Sequence, residues 1–187
     1  MPMKLGFYGG TFDPIHNGHL ILARDAVEAL GLDRLIFIPN TISPHKQSRA
    51  PASAALRAEM VRAAIGGEPR FDLDETELNR PGLSYTIDTI LEMRERFGPD
   101  TEFYYLIGQD NVAALSSWRR VDELHHLVTF VVLSRSELEA ALPYQTLQRR
   151  IDISATEIRM RIANGQSIRY LVPDKVHDLI IRHKIYQ

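Results

Sequence analysis

The sequence predicts an α/β fold: an open parallel sheet with helices on both faces and a small carboxyl-terminal helical part. Three features point to it. Strand-like and helix-like segments alternate along most of the chain, the pattern of a parallel sheet covered by helices. Glu102 to Ile107 and Val128 to Leu133 carry near-continuous apolar runs, as strands buried on both faces do. A glycine-containing stretch, Gly9-Gly10-Thr11-Phe12-Asp13-Pro14-Ile15-His16-Asn17-Gly18-His19-Leu20, joins the first strand to the first helix.

The elements follow in order. Leu5 to Tyr8 is an apolar run that reads as a buried first strand. Ile21 to Leu30 has the apolar spacing of an amphipathic helix. Arg34 to Pro39 reads as a second strand closed by proline and asparagine, and Thr41 to Pro51, with two prolines and little apolar content, as a loop. Ser53 is placed to cap a helix reaching Ile65, which Gly66-Gly67 would end. Phe71 to Leu78 reads as a short extended segment. Ser84 is a second cap, opening a helix from Tyr85 to Phe97 that stops at Gly98-Pro99. Ser154-Ala155-Thr156-Glu157 fits a capping box ahead of Ile158 to Ala163, with Gly165 as the stop. Pro173 suits the first turn of a last helix running through Ile181. These closing helices are expected on the edge of the sheet and over its ligand crevice, which in open parallel sheets lies beyond the carboxyl ends of the strands. Gly9-Gly10, the Ser43 to Gln47 loop and Gly108-Gln109-Asp110 each follow a predicted strand and should meet there.

At 187 residues the chain is expected to be one domain, 1–187, long enough to bury a real core. Its 22 basic and 24 acidic side chains give a net charge of −2, so no global field favours nucleic acid, and a bound anion needs a local constellation. The absence of cysteine excludes disulfides and thiolate catalysis and suits a reducing, cytoplasmic setting. No apolar run approaches the roughly 18 residues of a membrane span, and the amino terminus lacks a signal-peptide pattern.

The glycine stretch is the strongest local signal. A glycine-rich turn between strand and helix is expected to point backbone N–H groups at one spot, where the helix dipole also favours an anion. His16 and His19, three residues apart at the helix start, should share one face over that anion. Together these features predict a phosphate site.

The His16-Asn17-Gly18-His19 element, after Gly10-Thr11-Phe12-Asp13-Pro14, resembles the signature of the nucleotidylyltransferase superfamily. Taken alone it fits several members, phosphopantetheine adenylyltransferases and cytidylyltransferases among them. Further blocks are similar to bacterial nicotinate-mononucleotide adenylyltransferases: Ser43-Pro44-His45-Lys46, Ser84-Tyr85-Thr86 with Asp88-Thr89, Ile107-Gly108 with Asp110, Trp118, Ile153 to Arg159, and Tyr170 to Pro173. They span nearly the whole chain in the family's order.

The resemblance implies a Rossmann-like, nucleotide-binding enzyme of NAD biosynthesis. It would transfer AMP from ATP to nicotinate mononucleotide, giving deamido-NAD and pyrophosphate by in-line attack without a covalent intermediate. His16, His19, Lys46 and Arg159 would be the catalytic residues. His19 would lie nearest the α-phosphoryl oxygens, Lys46 would hold a phosphate as a flexible point charge, and Arg159 would clamp the leaving phosphates. ATP would also meet Gly9, Gly10, Thr11, Phe12, Gly108, Asp110, Ser154 and Thr156. Nicotinate mononucleotide would meet Lys46, Tyr85, Thr86 and Trp118, with the pyridine ring against the tryptophan. Mg²⁺ would ride mainly on the ATP oxygens, because it keeps its waters. Partners are thus ATP and nicotinate mononucleotide, with no nucleic acid and no membrane; a homodimer is left open.

Several residues carry a second, purely structural reading. Ser154 can spend its hydroxyl on the capping box, and Trp118 can simply cover a helix end. Asp13 can organise its own turn through backbone bonds. Arg119 is a candidate for selecting a carboxylate. Ala155 departs from the serine usual there, which would cost one neutral hydrogen bond, roughly 0.5–1.5 kcal/mol. The alternatives are the same chemistry on nicotinamide mononucleotide or phosphopantetheine, or a non-catalytic nucleotide sensor that kept the fold.

Overall fold

The computed structural model describes residues 2–40, 52–135 and 142–187. Within them, six strands form one sheet: β1 (Lys4–Gly10), β2 (Arg34–Pro39), β3 (Phe71–Leu73), β4 (Glu102–Gly108), β5 (Thr129–Ser134) and β6 (Gln145–Gln148). Their order is β3-β2-β1-β4-β5-β6, and every pairing is parallel. The order reverses between β1 and β4, and a crevice opens at such a point beyond the carboxyl ends of the strands.

Period-two alternation splits the sheet's side chains between two cores. On one face Tyr8, Leu35, Phe37, Leu106 and Val131 pack against α1 (Asn17–Leu30), α2 (Ala54–Ile65), α6 (Ala155–Ala163) and α7 (Asp174–His183) through Leu22, Met60, Ile158 and Val176. On the other, Leu5, Phe7, Ile36, Tyr105 and Val132 pack against Ile87, Ile90 and Met93 of α4 (Thr86–Phe97) and Leu124 of α5 (Val121–Leu127). The expected α/β architecture, with helices on both faces and a closing helical part, is the one observed.

Several local expectations need correction. Gly9 and Gly10 are the last residues of β1, paired with Ile38 and Pro39, and not a glycine turn. A Cβ on Gly9 would collide with the Tyr105 hydroxyl, and one on Gly10 would meet the Phe12 ring at 2.9 Å. Both glycines therefore admit aromatic rings, while the left-handed turn residue is Phe12, at φ 47°. Phe71 to Leu78 is extended only to Leu73; it then becomes the short helix α3 (Thr76–Asn79). Ser84 does not cap α4: Tyr85 occupies the cap position, and the Ser84 hydroxyl donates to the Glu77 carbonyl at 3.2 Å. Pro173 stands at the cap of α7, one residue before its expected place. Helix α5 and the short polar edge strand β6 were not foreseen. By contrast, Ser53 accepts from the Leu56 N–H at 3.3 Å and caps α2 as expected.

Candidate active site

Phosphate chemistry should centre on the start of α1. His16, in extended conformation, is its cap residue. The His16 and His19 rings stack with centroids 3.7 Å apart, so the two imidazoles do share one face. Their roles differ, however. His16 is fully buried, and neither ring nitrogen has a hydrogen-bond partner among the described residues. Burial, assisted by the nearby positive charge of Arg135, lowers its pKa from 6.5 to about 3. His16 is therefore a neutral imidazole at any working pH, and the expectation that both rings stand over one anion is corrected: His16 is enclosed and stacked on His19. His19 is half-buried. Its Nδ1 accepts the His16 backbone N–H at 3.2 Å, which leaves the proton of a neutral ring on Nε2.

The helix end is less open to an anion than a bare terminus. The Asn17 N–H donates to the Leu171 carbonyl at 2.9 Å, and the Asn17 side-chain amide donates to the Tyr170 carbonyl at 2.7 Å. The carboxyl-terminal segment thus braces the start of α1.

Helix α6 brings Arg159 to the same place. Its Nη1 donates to the Asp13 carbonyl at 2.7 Å and its Nη2 to Thr156 Oγ1 at 3.2 Å. About a quarter of the Arg159 side chain remains exposed. Ser154 Oγ accepts the Glu157 N–H at 3.1 Å, so the hydroxyl caps α6; Thr156 is exposed. Asp13 does not organise its own turn. Its Oδ1 accepts from the Ala52 N–H and the Tyr186 hydroxyl, both far away in sequence.

Arg135, directly after β5, is a site residue that sequence reasoning missed. Its guanidinium donates to the Tyr8 hydroxyl and acts electrostatically on His16. Its Nη1 also donates to the Ile153 carbonyl at 3.0 Å, tying β5 to the start of α6. The available signal was positional: a basic side chain follows a buried strand on the edge of the crevice. Burial raises the pKa of Tyr8 to about 12 despite the guanidinium, so its hydroxyl stays protonated. Asn40, after β2, donates its N–H to the Gly10 carbonyl at 3.0 Å, while its buried Oδ1 has no partner among the described residues.

The other side of the crevice holds the ring-binding candidates. Tyr85 and Thr86 open α4. Thr86 is hydrogen-bonded to the Tyr105 hydroxyl, the group that rests on Gly9. Trp118 meets Tyr105 and Phe130 edge-on at 6.0 and 6.2 Å, and remains partly exposed. The Arg119 guanidinium lies 4.8 Å from the Tyr85 ring centroid and 3.8 Å from an Asp88 carboxylate oxygen. Behind α4, the buried Glu77 accepts from Thr89 Oγ1 at 2.9 Å, and Arg80 donates to the same hydroxyl at 3.1 Å. Asp110 is exposed beside Gly108, where a Cβ would meet its carboxylate at 2.5 Å. Gln109 accepts from the Ser134 hydroxyl at 2.7 Å and anchors the end of β4 to β5. Lys46 and the Ser43 to Gln47 loop lie outside the described residues.

The structure therefore brings His19, Arg159, Arg135 and the Thr11–Asp13 turn together on one side of the β1/β4 crossing. Tyr85, Thr86 and Trp118 gather on the other, with Tyr105 and Gly9 between. Among the described residues no group of three or more His, Asp or Glu side chains is arranged to hold a metal ion.

The pattern of the cytidylyltransferase-like family matches residues 7–161. A Geobacillus thermodenitrificans protein named "Probable nicotinate-nucleotide adenylyltransferase" is 44% identical over 186 residues, covering 98% of this chain and 86% of the relative. The nicotinate-nucleotide adenylyltransferase of Bacillus subtilis is 37% identical over 187 residues, covering 98% of both chains. Among solved structures, Plasmodium falciparum nicotinic acid mononucleotide adenylyltransferase complexed with NaAD superimposes with a TM-score of 0.82 at 20% identity. That alignment covers 98% of this chain and 97% of the other.

Proposed function

The chain belongs to the nicotinate-nucleotide adenylyltransferase family, and on that premise we propose that it joins ATP and nicotinate mononucleotide into deamido-NAD, releasing pyrophosphate. A phosphate oxygen of the mononucleotide forms a new bond to the α-phosphorus as the bond to the bridging oxygen of the pyrophosphate breaks. The attacking group is already an oxyanion, so no general base is required. The protein's task is alignment, together with stabilisation of charge at the α-phosphoryl group and the leaving pyrophosphate.

The single observation that carries this reading is the preset His19 ring. Its Nδ1 is held as an acceptor, so Nε2 presents a fixed donor for a phosphoryl oxygen. Preorganised donors of this kind stabilise developing charge without reorganising. Arg159 and Arg135 supply the full positive charges at the crevice, Arg159 toward the leaving phosphates. Lys46 would add a third from the Ser43 to Gln47 loop. Thr11, Phe12, Gly108 and Asp110 line the ATP side in this reading, with Asp110 receiving a ribose hydroxyl; Ser154 acts by setting α6. Tyr85, Thr86 and Trp118 receive the pyridine ring. Arg119, already engaged by Tyr85 and Asp88, shapes that pocket rather than offering a free charge.

Mg²⁺ enters this reading as part of the substrate, MgATP. The described donor set at the phosphate side is imidazole and guanidinium, and the Asp13 carboxylate behind that turn is engaged by Ala52 and Tyr186. No protein ligand is assigned to the ion.

The test is pyrophosphate release from MgATP with nicotinate mononucleotide, nicotinamide mononucleotide or phosphopantetheine as acceptor. The expected result is fastest release with the nicotinate nucleotide, with deamido-NAD as co-product. Tight ATP binding without release for any acceptor would establish a sensor instead.

A further inference from the structure

Tyr186 lies beyond α7, far in sequence from any nucleotide-binding motif, yet its hydroxyl donates to Asp13 Oδ1 at 2.6 Å. Asp13 is almost wholly buried, with 11% of its side chain exposed. The same oxygen accepts the Ala52 N–H at 3.0 Å. The other, Oδ2, stands 3.9 Å from Arg159 Nη1, an attractive distance but outside hydrogen-bond range. Arg159 Nη1 is instead held by the backbone carbonyl of Asp13 at 2.7 Å. Arg57, at 1% exposure, closes the network: its Nη1 donates to the Thr11 carbonyl at 2.7 Å and its Nε to the Ala52 carbonyl at 3.1 Å. Three separate parts of the chain, around Ala52 to Arg57, Arg159 and Tyr186, thus converge on the turn between β1 and α1.

This arrangement has a chemical logic. A buried carboxylate beside an arginine favours a direct paired geometry. That pairing would turn the Arg159 fork toward Asp13 and away from a phosphate. Two donors on Oδ1 hold the carboxylate back, and a main-chain carbonyl, which cannot swing, fixes the guanidinium. We propose that Tyr186 is a positioning residue for adenylyl transfer: with Ala52, it restrains Asp13 so that Arg159 stays available to the ATP phosphates, while Arg57 fixes the Thr11–Asp13 turn beneath them. The inference rests on the adenylyltransferase reading of the site. It extends that site to a residue with no contact to substrate.

Tyr186→Phe removes only the hydroxyl and keeps the ring. Initial rates with MgATP and nicotinate mononucleotide varied in turn should show the KM for ATP raised roughly threefold to tenfold, less than the direct loss of a hydrogen bond to a charged group because the effect reaches ATP only through Arg159. The KM for the mononucleotide should be unchanged. In an Arg159→Ala background the same substitution should add nothing, because its effect passes through that guanidinium. Calorimetric titration of MgATP in the cold gives the same comparison without turnover and covers the case of a variant that is unstable at the assay temperature. An unchanged KM for ATP, equal rises for both substrates, or additivity with Arg159→Ala would overturn the proposal and leave Tyr186 as packing for α7. Failure of the wild-type protein to form deamido-NAD would overturn the adenylyltransferase reading itself, a separate outcome.

Discussion

Acid should destabilise this protein through His16 well above the pH at which carboxylates titrate. The ring is fully buried and lacks a partner among the described residues, and its pKa falls from 6.5 to about 3. The unfolded chain binds a proton at this position below about pH 6.5, whereas the folded protein refuses it. The stability at stake is complete above that pH and declines as pH falls, by about 1.4 kcal/mol per pH unit. Between pH 6.5 and 4.5 the loss approaches about 3 kcal/mol, a large share of the roughly 5–15 kcal/mol typical of a domain. The groups around the ring are the stacked His19 and the cation of Arg135, and neither offers an acceptor charge that would rescue a proton. Buried Glu77 works in the opposite sense. Desolvation raises its pKa, so acid favours the folded state through that group as pH drops toward its unfolded value. The contribution of His16 is therefore isolated by difference. Urea unfolding of the wild type and of His16→Asn should be followed in steps from pH 7.5 to 4.5. The wild type should lose stability faster than the variant by about 1 kcal/mol or more per pH unit below 6.5, and Glu77 cancels in the comparison. Parallel pH dependences would refute the neutral, buried imidazole.

Three further outcomes follow from the site. His19→Ala should lower kcat by roughly 10²–10³, the cost of one strong transition-state donor, with a much smaller change in ATP affinity; a change confined to KM would end that role. Trp118→Ala should raise the KM for the mononucleotide by the equivalent of about 0.5–1.5 kcal/mol, read from acceptor-dependent rates, and an unchanged value would return the ring to packing with Tyr105 and Phe130. Arg135→Met should weaken MgATP binding by roughly tenfold or more, as expected for a charged hydrogen bond, while leaving acceptor KM unaltered; titration calorimetry decides it, and an equal affinity would confine Arg135 to bracing Tyr8 and Ile153.

What the sequence disclosed follows the range of the interactions. Caps are local, and Ser53 and Ser154 each accept the N–H three residues on, as their spacing indicates. The strand–helix alternation likewise yields four of the strands at close to their observed bounds, and the start of a fifth, β3. Strand β6 escaped because a four-residue polar edge has no apolar run to mark it. Gly9 was legible as a special position but for the wrong reason. Its missing Cβ accommodates the Tyr105 hydroxyl from the neighbouring strand, a contact that no local pattern encodes. Arg57, Arg135 and Tyr186 are invisible for the same reason: each acts through partners distant in sequence, and an arginine or tyrosine in isolation reads as ordinary surface or core. Burial also decided what spacing could not. Two histidines three residues apart look equivalent, yet one is enclosed and neutral and the other is half-open with its donor set.

That asymmetry bears on how a protein of net charge −2 can handle a polyanionic substrate. Cations clustered around the triphosphate would bind ground state and transition state alike, and uniform binding lowers KM without accelerating the chemical step. In this site the group assigned to the α-phosphoryl oxygens, His19 Nε2, is a single neutral donor fixed through its other nitrogen by the His16 N–H. Its bond strengthens as charge gathers on those oxygens. The full charges stand elsewhere. Arg159 is tethered to the Asp13 carbonyl and Arg135 to the Ile153 carbonyl, so neither is free to follow a departing phosphate. Tethered guanidiniums can stabilise pyrophosphate as it forms at one position, and they lose contact as it moves away, which favours release. The neutral enclosure of His16 serves the same end. A charged ring beneath His19 would add ground-state attraction, whereas a neutral ring stacked at 3.7 Å contributes orientation to His19 and no charge.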